Sequence, residues 1–193
     1  MKNKNFISSA LKVIEIEAHA VMSLSNQIRP EFENLCMEIL NTTGKLILMG
    51  IGKSGHIAQK ISATLSSTGT SSFFIHPTEA AHGDLGMISK KDSILILSNS
   101  GETKEIIEIL PALKRSTSNI FTLTNNNQST IAKAGKINLV DGVKVIGVKS
   151  LMNSLPLTAS SLYAKNLLNF VVLVLTKLFS CLQEQRLQRL HLN

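Results

Sequence analysis

Short, wholly apolar runs that end in glycine- or serine-rich turns, each followed by a helical pattern, constrain this chain more than any other feature. Lys45-Leu-Ile-Leu-Met49 runs into Gly50-Ile-Gly52, and a helix is predicted from Ser54 to Thr68, stopped by Gly69. A run that is apolar at nearly every position suits a strand buried on both faces of a parallel sheet. The unit then recurs. Ser72-Phe-Phe-Ile75 is a predicted strand followed by a polar segment, His76 to Gly86. Ser93-Ile-Leu-Ile-Leu97 is another, with Ser98-Asn-Ser-Gly101 as its turn and Glu102 to Lys114 as its helix. Asn119 to Leu123 and Lys136 to Leu139 complete the strands, separated by an Asn-rich loop and a short helix from Ser129 to Ala134. Two helices come first. Ile7, Leu11, Ile14, Ala18 and Val21 share a face of one from Phe6 to Ser25, and Phe32, Leu35, Cys36 and Ile39 recur along one from Pro30 to Leu40. The alternation predicts an α/β fold, a three-layer αβα sandwich with a central five-stranded parallel sheet, doubly wound, in one domain over residues 1–193. Right-handed crossovers would carry the Gly and Ser turns to one edge of that sheet.

Composition narrows the function. Apolar residues are 44% and charged residues 17% of the 193, which excludes wholesale disorder. Aromatics are only 4%, with no Trp, so a stacking platform for nucleic acid is not expected. The net charge of +7 is scattered, apart from Lys90-Lys91 and Lys114-Arg115, which favours a small anionic substrate over a nucleic-acid face. Cys36 and Cys181 lie in separate helical patterns and read as buried thiols in a reducing compartment. No CxxC or HxxxH spacing occurs, so no metal is expected. Glu15 and Glu17 fall where a signal peptide needs an unbroken apolar stretch. Leu167 to Leu182 is interrupted by Asn169, Lys177 and Ser180 and is short for a membrane span, so it reads as a buried helix. A cytoplasmic protein without a membrane partner is expected.

Two strand-to-helix turns share one physical task. Gly50-Ile-Gly-Lys-Ser-Gly55 and Ser98-Asn-Ser-Gly-Glu-Thr103 each open a helix, whose first amides and positive dipole end attract phosphate. Glycine allows close approach, and the hydroxyls of Ser98, Ser100 and Thr103 can donate to phosphate oxygens. The first turn lacks P-loop spacing, and the acid that should follow a dinucleotide fingerprint about 20 residues on is missing. The second also fits an ordinary N-cap with Ser100 as the capping residue. Two such turns on neighbouring units favour a shared anion. Between them, His76 to Gly86 holds His76, Glu79, His82 and Asp84 in a polar connection, a usual setting for catalytic groups. Capping of a short helix by Glu79 and Asp84 is the plainer reading.

Gly50-Ile-Gly-Lys-Ser-Gly-His56, Ser66-Ser-Thr-Gly69, His76-Pro-x-Glu-Ala-x-His-Gly-Asp-Leu-Gly86 and Ser98-Asn-Ser-Gly-Glu102 resemble, in order and spacing, the D-arabinose 5-phosphate isomerases of the SIS (sugar isomerase) family. The resemblance runs from about residue 10 to 135 and implies the Rossmann-like SIS fold. It implies interconversion of D-arabinose 5-phosphate and D-ribulose 5-phosphate through a cis-enediolate, feeding Kdo synthesis for lipopolysaccharide or capsule. On that resemblance Glu102 is the expected base, His82 serves ring opening or proton relay, and Lys53 steadies the enediolate charge. Gly50, Gly52, Ser54, Ser98, Asn99, Ser100 and Thr103 are the expected phosphate-binding set. No cofactor is implied, and a homo-oligomer, tetramer or dimer, is. After residue 140 the pattern departs. Ser154 to Ser161 replaces a Glu-Ala-Cys-Pro-Leu-Gly stretch, Leu167-Leu168 replaces Gly-Asp, and Lys144 or Lys149 lies near the place of an acid. The family's Ser-His-Pro-Gly-Gly segment and tandem CBS region are not found, and His191 is the one candidate for the lost histidine, with a loose tail as the alternative. A sugar-phosphate sensor, which needs Ser98, Ser100 and Thr103 but not Glu102 or His82, is the reading from a different class. An isomerase of another sugar phosphate is the third.

Overall fold

In a computed structural model that describes residues 6–23 and 30–139, the apolar runs form five strands: β1 (Leu46–Met49), β2 (Ser72–Phe74), β3 (Ser93–Leu97), β4 (Ile120–Leu123) and β5 (Ile137–Leu139). They pair in parallel in the order β2-β1-β3-β4-β5. The helices are α1 (Phe6–Ser23), α2 (Pro30–Asn41), α3 (Gly52–Ser67), α4 (Pro77–Ala81), α5 (Lys104–Ser116) and α6 (Thr130–Ala134). The expected five-stranded parallel sheet is present, with each strand within a residue or so of its predicted bounds.

Period-two alternation explains why β1 and β3 read as unbroken apolar runs. Leu46, Leu48, Leu95, Leu97 and Phe121 face Leu35 and Ile39 of α2 and Ile57, Ala58, Ile61 and Leu65 of α3. Ile47, Met49, Ile94, Ile96 and Ile120 face the other way, onto Ile106, Ile109, Leu110 and Leu113 of α5 and Ile131 of α6. Both faces are covered by helices, so a polar side chain on either would need a hydrogen-bond partner of its own. Each fully buried Leu or Ile contributes about 1.5–3 kcal/mol relative to exposure.

Three boundaries differ from expectation. α5 starts at Lys104, not Glu102, because Ser98 to Thr103 stays in a hydrogen-bonded turn with Thr103 as N-cap. α3 starts two residues early, at Gly52, whose φ of +57° only glycine adopts readily. The polar connection after β2 is not a plain loop. It holds α4 and a 3-10 turn at Asp84–Met87, because Pro77 at the first helical position presets φ and the His76 side chain accepts from the Thr78 amide at 3.3 Å. The cap of this helix is therefore His76, not Glu79.

At the opposite, N-terminal edge of the sheet, Asp92 acts as a bracket. Its Oδ1 accepts from the Lys45 amide at 2.7 Å, and its Oδ2 accepts from the Ser89 amide at 2.7 Å and the Ser89 hydroxyl at 2.9 Å. The expected helix at 167–182, Cys181, Lys144, Lys149, Ser154 to Ser161 and His191 lie outside the described residues.

Candidate active site

The order of the strands decides where the turns meet. From β1 the chain passes through α3 to β2 on one side, then returns to β3 on the other side of β1. Winding reverses between β1 and β3, with α3 on one face and α5 on the opposite face. A crevice opens at such a reversal, outside the strand C-termini. Met49 is in register with Ile96, so the turns after β1 and β3 emerge side by side, roughly 5 Å apart as adjacent strands are. Residues 50–55 and 98–103 thus open onto one edge.

Their helices are set up alike. The cap residue of α3, Ile51, has no side chain able to bond the first-turn amides, and Thr103 at the start of α5 makes no such bond either. By contrast α4 is capped by His76 and α6 by Ser129, whose hydroxyl accepts from the Ala132 amide. Of these four helices, the two flanking the crevice are left uncapped, which suits amides that serve an external anion.

Thr103 fails to cap for a visible reason. Its Oγ1 lies 2.7 Å from Ser98 Oγ, which also accepts from the Gly101 amide at 3.1 Å. Either hydroxyl can donate in this pair, since Ser98 Oγ has lone pairs for both Gly101 and Thr103; when Ser98 donates, the Thr103 proton is left for an oxygen outside the turn. Ser100 behaves similarly: its Oγ accepts from the Glu102 amide at 3.1 Å, so its own proton remains to be given. Ser100 is exposed and Thr103 half-buried.

Ser98 is only 3% exposed, and its hydroxyl is engaged inside the turn by the Gly101 amide and the Thr103 hydroxyl. Gly50 also has a packing role. A Cβ there would come within 2.9 Å of the Ser54 carbonyl, and one on Gly55 within 2.7 Å of the Gly50 carbonyl. This mutual approach seats the start of α3 against the end of β1. Gly52 has open space around it, Lys53 and Asn99 are exposed, and Ser54 is half-buried.

His82 is exposed at the end of α4, followed by Gly83 at φ +143°. Ala80 of α4 joins the apolar layer of Ile106 and Ile109, so α4 packs towards α5. Glu102 is exposed, but its carboxylate accepts from the Thr130 amide at 2.7 Å. That bond, helped by Lys133, holds it below the ordinary glutamate range. A carboxylate so held is a weaker base.

Two features went unread in the sequence. The β4–α6 loop is part of the site's frame, since Asn125 and Ile131 amides donate to the carbonyls of Asn99 and Gly101, both at 3.0 Å. Its signal was present: a third polar strand-to-helix turn, with Ser129 as cap. The other is Glu105 in the first turn of α5, exposed and with no hydrogen bond or ion pair among the described residues. It is the second residue of α5, three beyond Glu102 of the serine turn. No helix among the described residues is long and apolar enough to cross a membrane.

Fold and site together define a doubly wound α/β domain whose two uncapped strand-to-helix turns meet at the reversal of its sheet. The SIS domain model matches residues 39–165, and the chain belongs to that family. It is 49% identical over 138 residues to the arabinose 5-phosphate isomerase KdsD of Pseudomonas aeruginosa, covering 72% of this chain and 42% of that protein. Identity to the arabinose 5-phosphate isomerase KpsF of Escherichia coli O6:H1 is 48% over 128 residues, 66% of this chain and 39% of the relative. The chain thus spans about two-fifths of the length of these relatives. A solved structure from E. coli CFT073, in complex with arabinose 5-phosphate, superposes with a TM-score of 0.68 at 34% identity, over 90% of this chain and 93% of that one.

Proposed function

We propose that this chain is an aldose–ketose isomerase domain that interconverts D-arabinose 5-phosphate and D-ribulose 5-phosphate. The observation that carries the reading is the pair of uncapped helix starts at the β1/β3 reversal, with the Ser100 proton left to give and the Thr103 hydroxyl beside it. Similarity to KdsD, KpsF and the sugar-phosphate complex from E. coli supports the choice of sugar. The phosphate sits against the first turns of α3 and α5, held by Ser54, Ser100 and Thr103, with Gly52 leaving it room. Asn99 borders it, and Ser98 and Gly50 keep the two turns in shape.

With the phosphate anchored, the sugar's first two carbons extend towards side chains that can handle protons and charge. Isomerisation moves a hydrogen between C1 and C2, and the enediolate formed on the way carries negative charge on oxygen. Lys53 supplies a cation for that charge. His82, whose imidazole can both donate and accept a hydrogen bond, serves ring opening. Of the two carboxylates beside α5, Glu102 is already bonded to Thr130, while Glu105 makes no bond among the described residues. The enzyme works in the cytoplasm as a homo-oligomer, a tetramer or dimer, and supplies the sugar phosphate from which Kdo is built for lipopolysaccharide or capsule.

The test is an assay of ribulose 5-phosphate formation from arabinose 5-phosphate, with binding followed in parallel. Turnover that falls by about 100-fold or more in Lys53→Ala and His82→Ala supports the assignment. Binding without turnover in the parent chain assigns it a sensing role instead. Neither binding nor turnover overturns the reading.

A further inference from the structure

We infer that Glu102 is a positioning residue: it locks the serine turn onto the β4–α6 loop and thereby holds Ser100, rather than moving the substrate's hydrogen. The inference rests on the turn being the phosphate cradle proposed above.

Three adjacent amides at the start of α6 are all engaged by neighbouring groups. Thr130 donates to Glu102 Oε1 at 2.7 Å, Ile131 to the Gly101 carbonyl at 3.0 Å, and Ala132 to Ser129 Oγ at 3.3 Å. Two of these acceptors come from the serine turn. Asn125 adds a third link through the Asn99 carbonyl, and the Ser98 amide donates to the Leu123 carbonyl at 3.1 Å. Gly101, at φ +67°, lies so close to Ser129 that a Cβ would collide with its side chain. The turn and the loop are one rigid piece, and the Glu102 side chain is the charged bond between them.

The other end of Glu102 acts on the ligand side. Its own amide donates to Ser100 Oγ at 3.1 Å, which directs the Ser100 proton outward. One residue thus fixes the hydroxyl through its backbone and the scaffold through its carboxylate. A short, charge-assisted bond of this kind is among the stronger ones available to an exposed side chain. A general base needs its lone pairs for the substrate, and Glu102 has committed one oxygen elsewhere.

Gln keeps an acceptor for the Thr130 amide and loses the basicity, which separates the two roles. The experiment uses the full chain. KM and kcat are measured with arabinose 5-phosphate, and the dissociation constant of inorganic phosphate is measured by calorimetry, for the parent, Glu102→Gln, Glu102→Ala and Thr130→Pro. Thr130 is the first residue of α6, where proline is tolerated, and Ser129 before it already has φ −66° and ψ 159°, so that variant deletes the donor and spares the helix. The expected result is that Glu102→Gln keeps kcat and phosphate affinity within about threefold. Glu102→Ala and Thr130→Pro each weaken phosphate and raise KM by about tenfold, and combining them adds little. A kcat loss of about 100-fold or more in Glu102→Gln, with phosphate affinity intact, makes Glu102 the base and overturns the inference. Unchanged phosphate affinity in both Glu102→Ala and Thr130→Pro also overturns it, while leaving the cradle standing. Failure of the parent to bind phosphate removes the cradle and the inference together.

Discussion

In the proposed cradle, the hydroxyl groups of the serine turn divide into those placed to face a ligand and those that prepare the others. Ser100 belongs to the first kind, so Ser100→Ala is expected to weaken sugar-phosphate binding about tenfold, the worth of one hydrogen bond to a charged oxygen. Ser98 belongs to the second. Ser98→Ala releases the Thr103 hydroxyl, which can then rotate to cap α5 and compete with the anion for its amides. Calorimetry should therefore find affinity reduced several-fold, on the order of 1 kcal/mol, although the Ser98 side chain is buried inside the turn. Full affinity in Ser98→Ala would show that the relay to Thr103 carries nothing. On the far edge, Asp92 is a residue-scale stability determinant. Burial pushes its carboxyl up most strongly, but the Lys45 amide, the Ser89 amide and hydroxyl, and the Lys45 charge together hold it below the ordinary range. A depressed folded-state value means that the stabilisation is complete above the unfolded value of about 3.9 and is lost as pH falls through the folded one. In Asp92→Asn one amide N–H must face a donor, which costs about 2 kcal/mol near neutrality. Urea unfolding between pH 3 and pH 6 should show that gap closing below about pH 4.

Among the elements, the contact between the start of α3 and the end of β1 is the tightest constraint on the site. Gly50→Ala puts a methyl group against backbone atoms of Ser54 that cannot swing aside. Relief requires α3 to shift, so the variant is expected to lose about 1–3 kcal/mol of stability and to bind phosphate less well, as its first-turn amides move. Thermal unfolding and phosphate titration of the same sample check both halves. The ion pair between Lys136 before β5 and Glu38 of α2, at 2.7 Å, is a useful contrast. It is short but half-exposed, and removing it with Lys136→Ala should cost less than about 1 kcal/mol. Short distance alone does not make an element contact matter; absence of room does.

For the whole molecule, the proposed cradle exists only in the folded state, because its halves come from β1–α3 and β3–α5. A ligand that binds there must therefore stabilise the fold. At a free sugar phosphate concentration about 100 times the dissociation constant, unfolding should cost roughly 2.7 kcal/mol more, read as a rise in the denaturant midpoint. The same sugar without its phosphate should give far less. Equal stabilisation by both would mean that the anion is not what the reversal of the sheet recognises.

Local chemistry was enough to reveal much of this. Apolar runs buried on both faces have one architecture open to them, so the five parallel strands were legible from Lys45, Ser72, Ser93, Asn119 and Lys136 onward. The glycines and hydroxyls of 50–55 and 98–103 were legible as turns that open helices on one edge of the sheet, where helix starts leave amides without carbonyls. What tertiary structure alone decided is which groups remain available. Ser98 turned inward, Thr103 was drawn from its cap, and Glu102 was taken by an amide 28 residues away. The two hydroxyl outcomes are bonds inside the turn, set by rotamers that spacing alone does not give, while the Glu102 outcome depends on which strand lies beside which. Sequence spacing sets local periodicity, but the partner of the Glu102 carboxylate is chosen by a chain segment that only the pairing of β3 with β4 brings near.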